Sequence, residues 1–192
     1  DDFCYALRGT KVRKMHTSRR DTFKAVNCEP LAKVFPEKIE FLSQFKARQS
    51  YIAPELDNVF NDKVALVKFY PGQDADILDY YFKQGYKGAI IEVLGLGQVN
   101  ESWISTIKKL AKQGFVICAA SQTIYGSLNP NVYSTGRELE KAGVIYLKDM
   151  LSETGFVKLG WVLGHRTWKG TDKVKEKMLE NMAGEFNELL SE

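Results

Sequence analysis

A chain of 192 residues that is 44% hydrophobic and 27% charged, with a formal net charge of +3, has ordinary globular composition and can bury one sizeable core, which excludes disordered and fibrous classes. Its longest apolar stretches, Val64 to Val67 and Phe115 to Ala120, fall far short of a spanning helix, and the first residues show no signal-like apolar region, so a cytoplasmic protein with no membrane association is expected. Three cysteines, Cys4, Cys28 and Cys118, have no CxxC spacing and support neither a disulfide framework nor a zinc site; Cys118, inside an apolar run, is expected to be a small buried hydrophobe.

Residues 1 to 34 alternate as a hairpin does: Phe3 to Leu7, a turn at Gly9, Lys11 to His16, and a later short run from Leu31 to Val34. Between Arg8 and Arg20 lie six basic residues and no acid, and residues 1 to 50 carry eleven Lys/Arg against six Asp/Glu. Such a run is either a solvated basic edge, able to face an acidic partner such as nucleic acid, or the setting for a functional lysine. Burial among polar partners is how a lysine becomes a proton acceptor near neutral pH. Residues 36 to 62 are mixed, polar and weakly periodic, and read as a linker.

From Lys63 the pattern is regular. Strands are expected at Val64 to Tyr70, Gly88 to Val93, Phe115 to Ala120 and Val144 to Leu147. Helices are expected at Ala75 to Gln84, Glu101 to Gln113 and Ser134 to Ala142, closed by Gly85, Gly114 and Gly143. Three βα cycles with short connections imply an α/β fold with a parallel four-stranded sheet, right-handed crossovers and helices on both faces. Ligands of such sheets sit beyond the C-terminal strand ends, here Tyr70 to Gly72, Glu92 to Gln98, Ser121 to Tyr125 and Lys148 to Leu151. A largely apolar helix from Glu153 to Gly164 and an amphipathic one from Val174 to Leu190 complete the chain.

Gly95-Leu96-Gly97 after a strand suggests a dinucleotide loop, but the third glycine is missing and Glu92 brings a negative charge to the place of a pyrophosphate; a tight turn that admits close backbone approach fits better. Ser121-Gln122 at a strand end is either the lip of a polar pocket or a loop cap. His165, ending a helix, is expected to partner its C-terminal carbonyls, and two distant histidines argue against a metal site. No GxSxG or Cys-His nucleophile pattern is present.

Taken together, Arg8 to Asp21, Gly95-Leu96-Gly97, Ser121-Gln122, Asn131 to Arg137 and Val157 to His165 resemble the D subunits of archaeal glutamyl-tRNA(Gln) amidotransferases, a branch of the L-asparaginase/glutaminase family. The resemblance runs from about Phe3 to Glu185. It implies that residues 1–35 complete the family's N-terminal catalytic domain and that 63–192 form its C-terminal α/β domain. It also implies an amidase half-reaction in which a threonine attacks the side-chain amide of glutamine, with ammonia passed to a mischarged glutamyl-tRNA. The family's nucleophile is assisted by a Thr-Asp-Lys group whose lysine aligns with Lys14; Glu92, Ser121 and Gln122 are the expected substrate-binding residues, and the loop after Glu92 is one that approaches a substrate site at a subunit interface in the family. A threonine hydroxyl is a weak nucleophile until an adjacent base takes its proton, so the pairing is chemically apt.

Neither the Thr-Gly-Gly-Thr nor the Gly-Thr-Asp-Thr segment of the family occurs in these 192 residues. The expected partners are therefore an N-terminal half supplying both threonines, as a separate chain of a split subunit or as the rest of a longer one, and a tRNA-binding subunit that carries ATP and Mg and most contacts to Glu-tRNA(Gln). No cofactor is expected in this chain, and a homodimeric core is. Three departures stand out: Val93-Leu94 in place of Gly-Thr, Ser152 in place of a Pro and Gly160 in place of a Met. The rival readings are half of a split L-asparaginase and a non-catalytic assembly module that binds RNA through the Arg8 to Arg20 stretch.

Overall fold

The computed structural model describes residues 2–48 and 50–188. The chain divides into two compact units, residues 1–58 and 59–192.

In the first unit, the short strands run β1 (Cys4–Ala6), β2 (Val12–Lys14), β3 (Phe23–Ala25), β4 (Ala32–Val34) and β5 (Ile39–Phe41). β1 pairs antiparallel with β4, which pairs with β5, and a separate hairpin joins β2 to β3. The alternation around Gly9 thus misleads: β1 and β2 are not hairpin partners. Gly9–Lys11 forms a 3-10 turn, and each strand finds a partner further along the chain. β5 lies within the stretch that reads as a linker. Among the described residues of this unit Lys11, Thr22, Val26 and Ala32 are buried, whereas Tyr5, Phe23, Ile39, Phe41 and Phe45 are each at least half exposed.

In the second unit, β6 (Val64–Lys68), β7 (Gly88–Val93), β8 (Val116–Ser121) and β9 (Ile145–Tyr146) are all parallel and lie side by side in chain order. Between them run α1 (Asp76–Lys83), α2 (Ser102–Lys112) and α3 (Ser134–Lys141), within about two residues of the predicted bounds; α4 (Ser152–Gly164) and α5 (Thr171–Met178) follow. Alternation along the strands assigns the faces. Ala65, Val67, Ala89, Ile91, Ile117 and Ala119 point into a core completed by Leu78 of α1, Trp103, Ile107 and Leu110 of α2, and Leu139 of α3. Val64, Ile90, Val116, Cys118 and Ala120 point the other way, onto Leu159 and Val162 of α4 and Val174 and Met178 of α5. With both faces covered, the central strands read as near-continuous apolar runs, which is why their positions are legible. Cys118 is fully buried and burial pushes its thiol well above the ordinary range.

The last helix is shorter than its periodicity suggests. It ends at Met178, and residues 181–188 are irregular; the predicted continuation to Leu190 lies partly outside the described residues. Local bonds explain the break. The Glu180 carbonyl, which helix continuation would use, accepts instead from Lys158 Nζ at 2.5 Å, and the Asn181 amide both donates to the Phe186 carbonyl (2.8 Å) and accepts from the Glu185 N–H (3.1 Å).

Candidate functional site

The parallel register places Lys68, Glu92 and Ala120 in one row at the C-terminal ends of β6, β7 and β8, with Ser121 and Gln122 one and two residues beyond. Gln122 closes this row. Its side-chain amide donates to the carbonyls of Phe69 (2.5 Å) and Glu92 (2.9 Å), stapling the ends of β6 and β7, while its own N–H donates to the Val93 carbonyl at 3.2 Å. The Glu92 carboxylate is half-buried and accepts a bond from the Ser152 hydroxyl at 2.6 Å; Ser152, buried at the start of α4, could not make this bond if it were the proline expected there. Ser121 turns to its own loop: its hydroxyl lies 2.6 Å from that of Thr123 and accepts the Thr123 N–H at 3.0 Å, which is the loop-cap arrangement. The three predicted residues of this unit are therefore neighbours at the strand ends, with Glu92 and Gln122 directly linked.

The Gly95-Leu96-Gly97 loop is a tight turn. Leu94 exchanges bonds with Gln98, and Gly97 N–H donates to the Leu94 carbonyl at 3.0 Å. Gly97 sits at φ +123°, and a Cβ there would run into the Tyr146 ring, so two independent constraints call for glycine. Tyr146 anchors the loop by donating its hydroxyl to the Gly97 carbonyl at 2.8 Å; burial, with Glu140 adding to it, raises the phenol above its ordinary value. Sequence reading misses Tyr146, because nothing in its short strand signals a bond to a loop 49 residues away. Beside the loop lies a cleft of ≈ 390 Å³ whose lining mixes apolar side chains such as Phe69, Leu94 and Val99 with polar Gln98 and Asn100. Glu92, Ser121 and Gln122 do not line it.

Lys14 belongs to the first unit, at the exposed end of β2, paired with Phe23. The buried lysine of the basic stretch is Lys11, only 1% exposed at the end of the 3-10 turn. The β2–β3 loop beyond Lys14 is well ordered by side chains: Thr22 Oγ1 accepts the His16 N–H at 2.8 Å, and His16 Nδ1 accepts the N–H groups of Ser18 (3.1 Å) and Arg19 (3.2 Å). Arg19 grips Asp21 through two bonds of 2.8 and 2.7 Å, and Lys24 reaches the same carboxylate at 3.3 Å. The guanidinium holds the Asp21 carboxyl down at about 2 and is itself raised. Two cations near the loop are thereby matched by an acid just outside the run of basic residues. His165 closes α4 as expected, its Nδ1 2.9 Å from the Trp161 carbonyl and its ring stacked on Trp168.

Among the described residues no helix is long and apolar enough to cross a membrane, and no three His, Cys, Asp or Glu side chains converge as metal ligands.

Residues 63–178 match the family model described as the glutaminase/asparaginase C-terminal domain, and residues 5–47 match that of the asparaginase N-terminal domain. The chain is similar to proteins named as the D subunit of glutamyl-tRNA(Gln) amidotransferase: it is 50% identical over 190 residues to that of Thermococcus kodakarensis and 45% identical over 190 residues to that of Sulfolobus acidocaldarius. Each alignment takes in 97% of this chain and 42% of the relative, so the chain spans less than half the length of the curated relatives it matches. Among solved structures, the thermostable L-asparaginase from Thermococcus kodakarensis superposes with a TM-score of 0.84 at 25% identity, over 94% of this chain and 54% of that one. L-asparaginase I from Vibrio cholerae shares the fold, with a TM-score of 0.82 at 24% identity over 94% of this chain and 55% of that one. Two family domains in their proper order, on the fold those domains adopt, establish that this chain belongs to the glutaminase/asparaginase family.

Proposed function

We propose that this chain is the C-terminal portion of the glutaminase subunit of a tRNA-dependent amidotransferase that converts Glu-tRNA(Gln) to Gln-tRNA(Gln). The observation that carries this reading is the contrast in similarity: 50% identity to amidotransferase D subunits against 25% to a free L-asparaginase that shares the fold. In the proposed half-reaction a threonine hydroxyl contributed from outside these 192 residues attacks the side-chain amide carbon of glutamine. The C–N bond breaks, ammonia leaves, and water releases glutamate from the acyl-enzyme. Lys14 is the proton relay for that threonine. Its exposure on β2 suits a side chain that acquires its catalytic surroundings only on assembly with the residues that carry the nucleophile. Glu92, Ser121 and Gln122 are the substrate-side residues at a subunit interface in a homodimeric core; Glu92 offers the charge, and Gln122 holds its backbone in place. ATP and Mg serve the tRNA-binding partner subunit, which makes most contacts to the tRNA.

The experiment is reconstitution of the chain with its N-terminal half, measuring ammonia release from glutamine and from asparagine with and without Glu-tRNA(Gln) and the tRNA-binding subunit. Stimulation of glutamine use by the tRNA complex supports the proposal. Equal turnover without it, with asparagine preferred, favours half of a split L-asparaginase, the reading to which the TM-score of 0.84 lends weight. The RNA-binding assembly module is the weaker rival, because within the Arg8 to Arg20 stretch Arg19 is already engaged by Asp21 and Lys11 is buried.

A further inference from the structure

Residues 180–188 are tied to α4 and to the turn before it by several specific side-chain bonds. Lys158, buried on α4, donates to Glu185 at 2.9 Å in an ion pair whose side chains are 5% and 6% exposed, and the other Glu185 oxygen accepts the Ala183 N–H at 2.8 Å. Phe186 is buried in the core on that face of the sheet, with the ammonium groups of Lys148 and Lys158 over its ring at 4.6 and 5.8 Å. One residue further, Asn187 meets Asp149 twice: its N–H donates to Oδ1 at 2.8 Å and its side-chain amide to Oδ2 at 2.9 Å. Asp149 is 3% exposed and lies three residues before Ser152, whose hydroxyl holds Glu92. The turn between β9 and α4 also contains Lys148 at φ +56°, a left-handed conformation that a residue with a side chain adopts only when its surroundings hold it there.

We infer that residues 180–188 form a clasp whose Asn187–Asp149 contact sets the turn before α4, so that Asn187 and Asp149 act as positioning residues for Ser152 and, through it, for the Glu92 carboxylate. The effect on catalysis rests on the glutaminase reading; the coupling from the clasp to Glu92 does not. Physically, the turn stores strain at Lys148, and the clasp keeps it from relaxing; once relaxed, the first turn of α4 shifts and the Ser152–Glu92 bond lengthens. The buried Lys158–Glu185 pair fixes the register of the clasp, since an unpaired charge at that depth would be costly.

Two arms test this on the whole chain. In the first, the NMR signal of the Glu92 carboxylate carbon is compared in wild type, Ser152→Ala, Asn187→Ala and Asp149→Asn, alongside hydrogen exchange of residues 147–156. The clasp predicts that both Asn187→Ala and Asp149→Asn move the Glu92 signal in the same direction as Ser152→Ala and speed exchange across that turn. Faster exchange confined to 180–188, with Glu92 as in wild type, overturns it, and Asp149→Asn decides alone if Asn187→Ala fails to fold. In the second arm, on the chain reconstituted with its N-terminal half, Asn187→Ala is expected to raise KM for glutamine about tenfold at nearly constant kcat, with no further rise in the Asn187→Ala, Ser152→Ala double variant. Additive losses in the double variant contradict the shared route. A wild-type assembly that releases no ammonia from glutamine overturns the glutaminase reading, and the first arm then decides the clasp by itself.

Discussion

Phe60 and Gly160 show how much a single exchange depends on its neighbour. Where the family resemblance leads one to expect a methionine, this chain has Gly160, and a Cβ there would collide with the Phe60 ring; Gly164, one turn on, leaves room for the Phe60 backbone, and Asn61 N–H donates to the Gly160 carbonyl at 2.9 Å. Gly160→Met is expected to destabilise the protein by roughly 1–3 kcal/mol through overpacking, and Phe60→Ala in the same chain is expected to recover part of that loss. Urea titration of the four proteins of the cycle measures it; equal costs with and without Phe60 contradict the account. Sequence reading could name the departure at 160 but not its cause, because Phe60 lies a hundred residues away in an unpatterned segment. The same limit applies to lysines. A basic run announces charge density and not depth, so the buried Lys11 and the exposed Lys14 look alike until the 3-10 turn separates them. Tyr146→Phe removes the hydroxyl that holds Gly97 and is expected to cost about 1 kcal/mol and to speed hydrogen exchange in residues 94–98; unchanged exchange there counts against the anchor.

Elements of the second unit are readable because each local signal agrees with the fold: apolar runs for strands buried on both faces, helical spacing between them, glycines at the helix ends. The first unit lacks that agreement. Its strands are three residues long, β1 passes over β2 and β3 to pair with β4, and much of its apolar surface is open, so alternation alone could not tell hairpin partners from strangers. The tail behaves differently again, since amphipathic spacing beyond Met178 is overruled by specific side-chain bonds. Burial opposes the charge on Glu185, but the Lys158 bond and the N–H groups of Ala183 and Glu185 outweigh it and hold the carboxyl below its ordinary value. A carboxyl lowered on folding contributes stability that is complete above its unfolded value and is lost as pH falls through the folded one. Acidification below the ordinary carboxylate range is therefore expected to release residues 180–188 before the parallel sheet unfolds. Limited proteolysis across a pH series follows it; cleavage of tail and sheet at one common pH refutes the separate release.

At the scale of the whole molecule, two units of unequal completeness carry different parts of one proposed chemistry. The unit of residues 59–192 has a finished core and presents Glu92, Ser121 and Gln122 at its strand ends, whereas the unit of residues 1–58 buries little and carries Lys14 on an exposed strand. The family and the strand-end location were legible from motifs and periodicity; how Glu92 is held was not, since Ser152 and the clasp behind it come from distant segments. The most direct measurement of the central claim is glutamine hydrolysis by the chain joined to its N-terminal half, with and without Glu-tRNA(Gln) and the tRNA-binding subunit, in wild type and in Lys14→Ala. Ammonia release stimulated by the tRNA is expected, falling by about three orders of magnitude in Lys14→Ala, the scale of losing a proton-relay group. Undiminished hydrolysis by the Lys14→Ala assembly, or robust turnover by the wild-type chain alone, contradicts it.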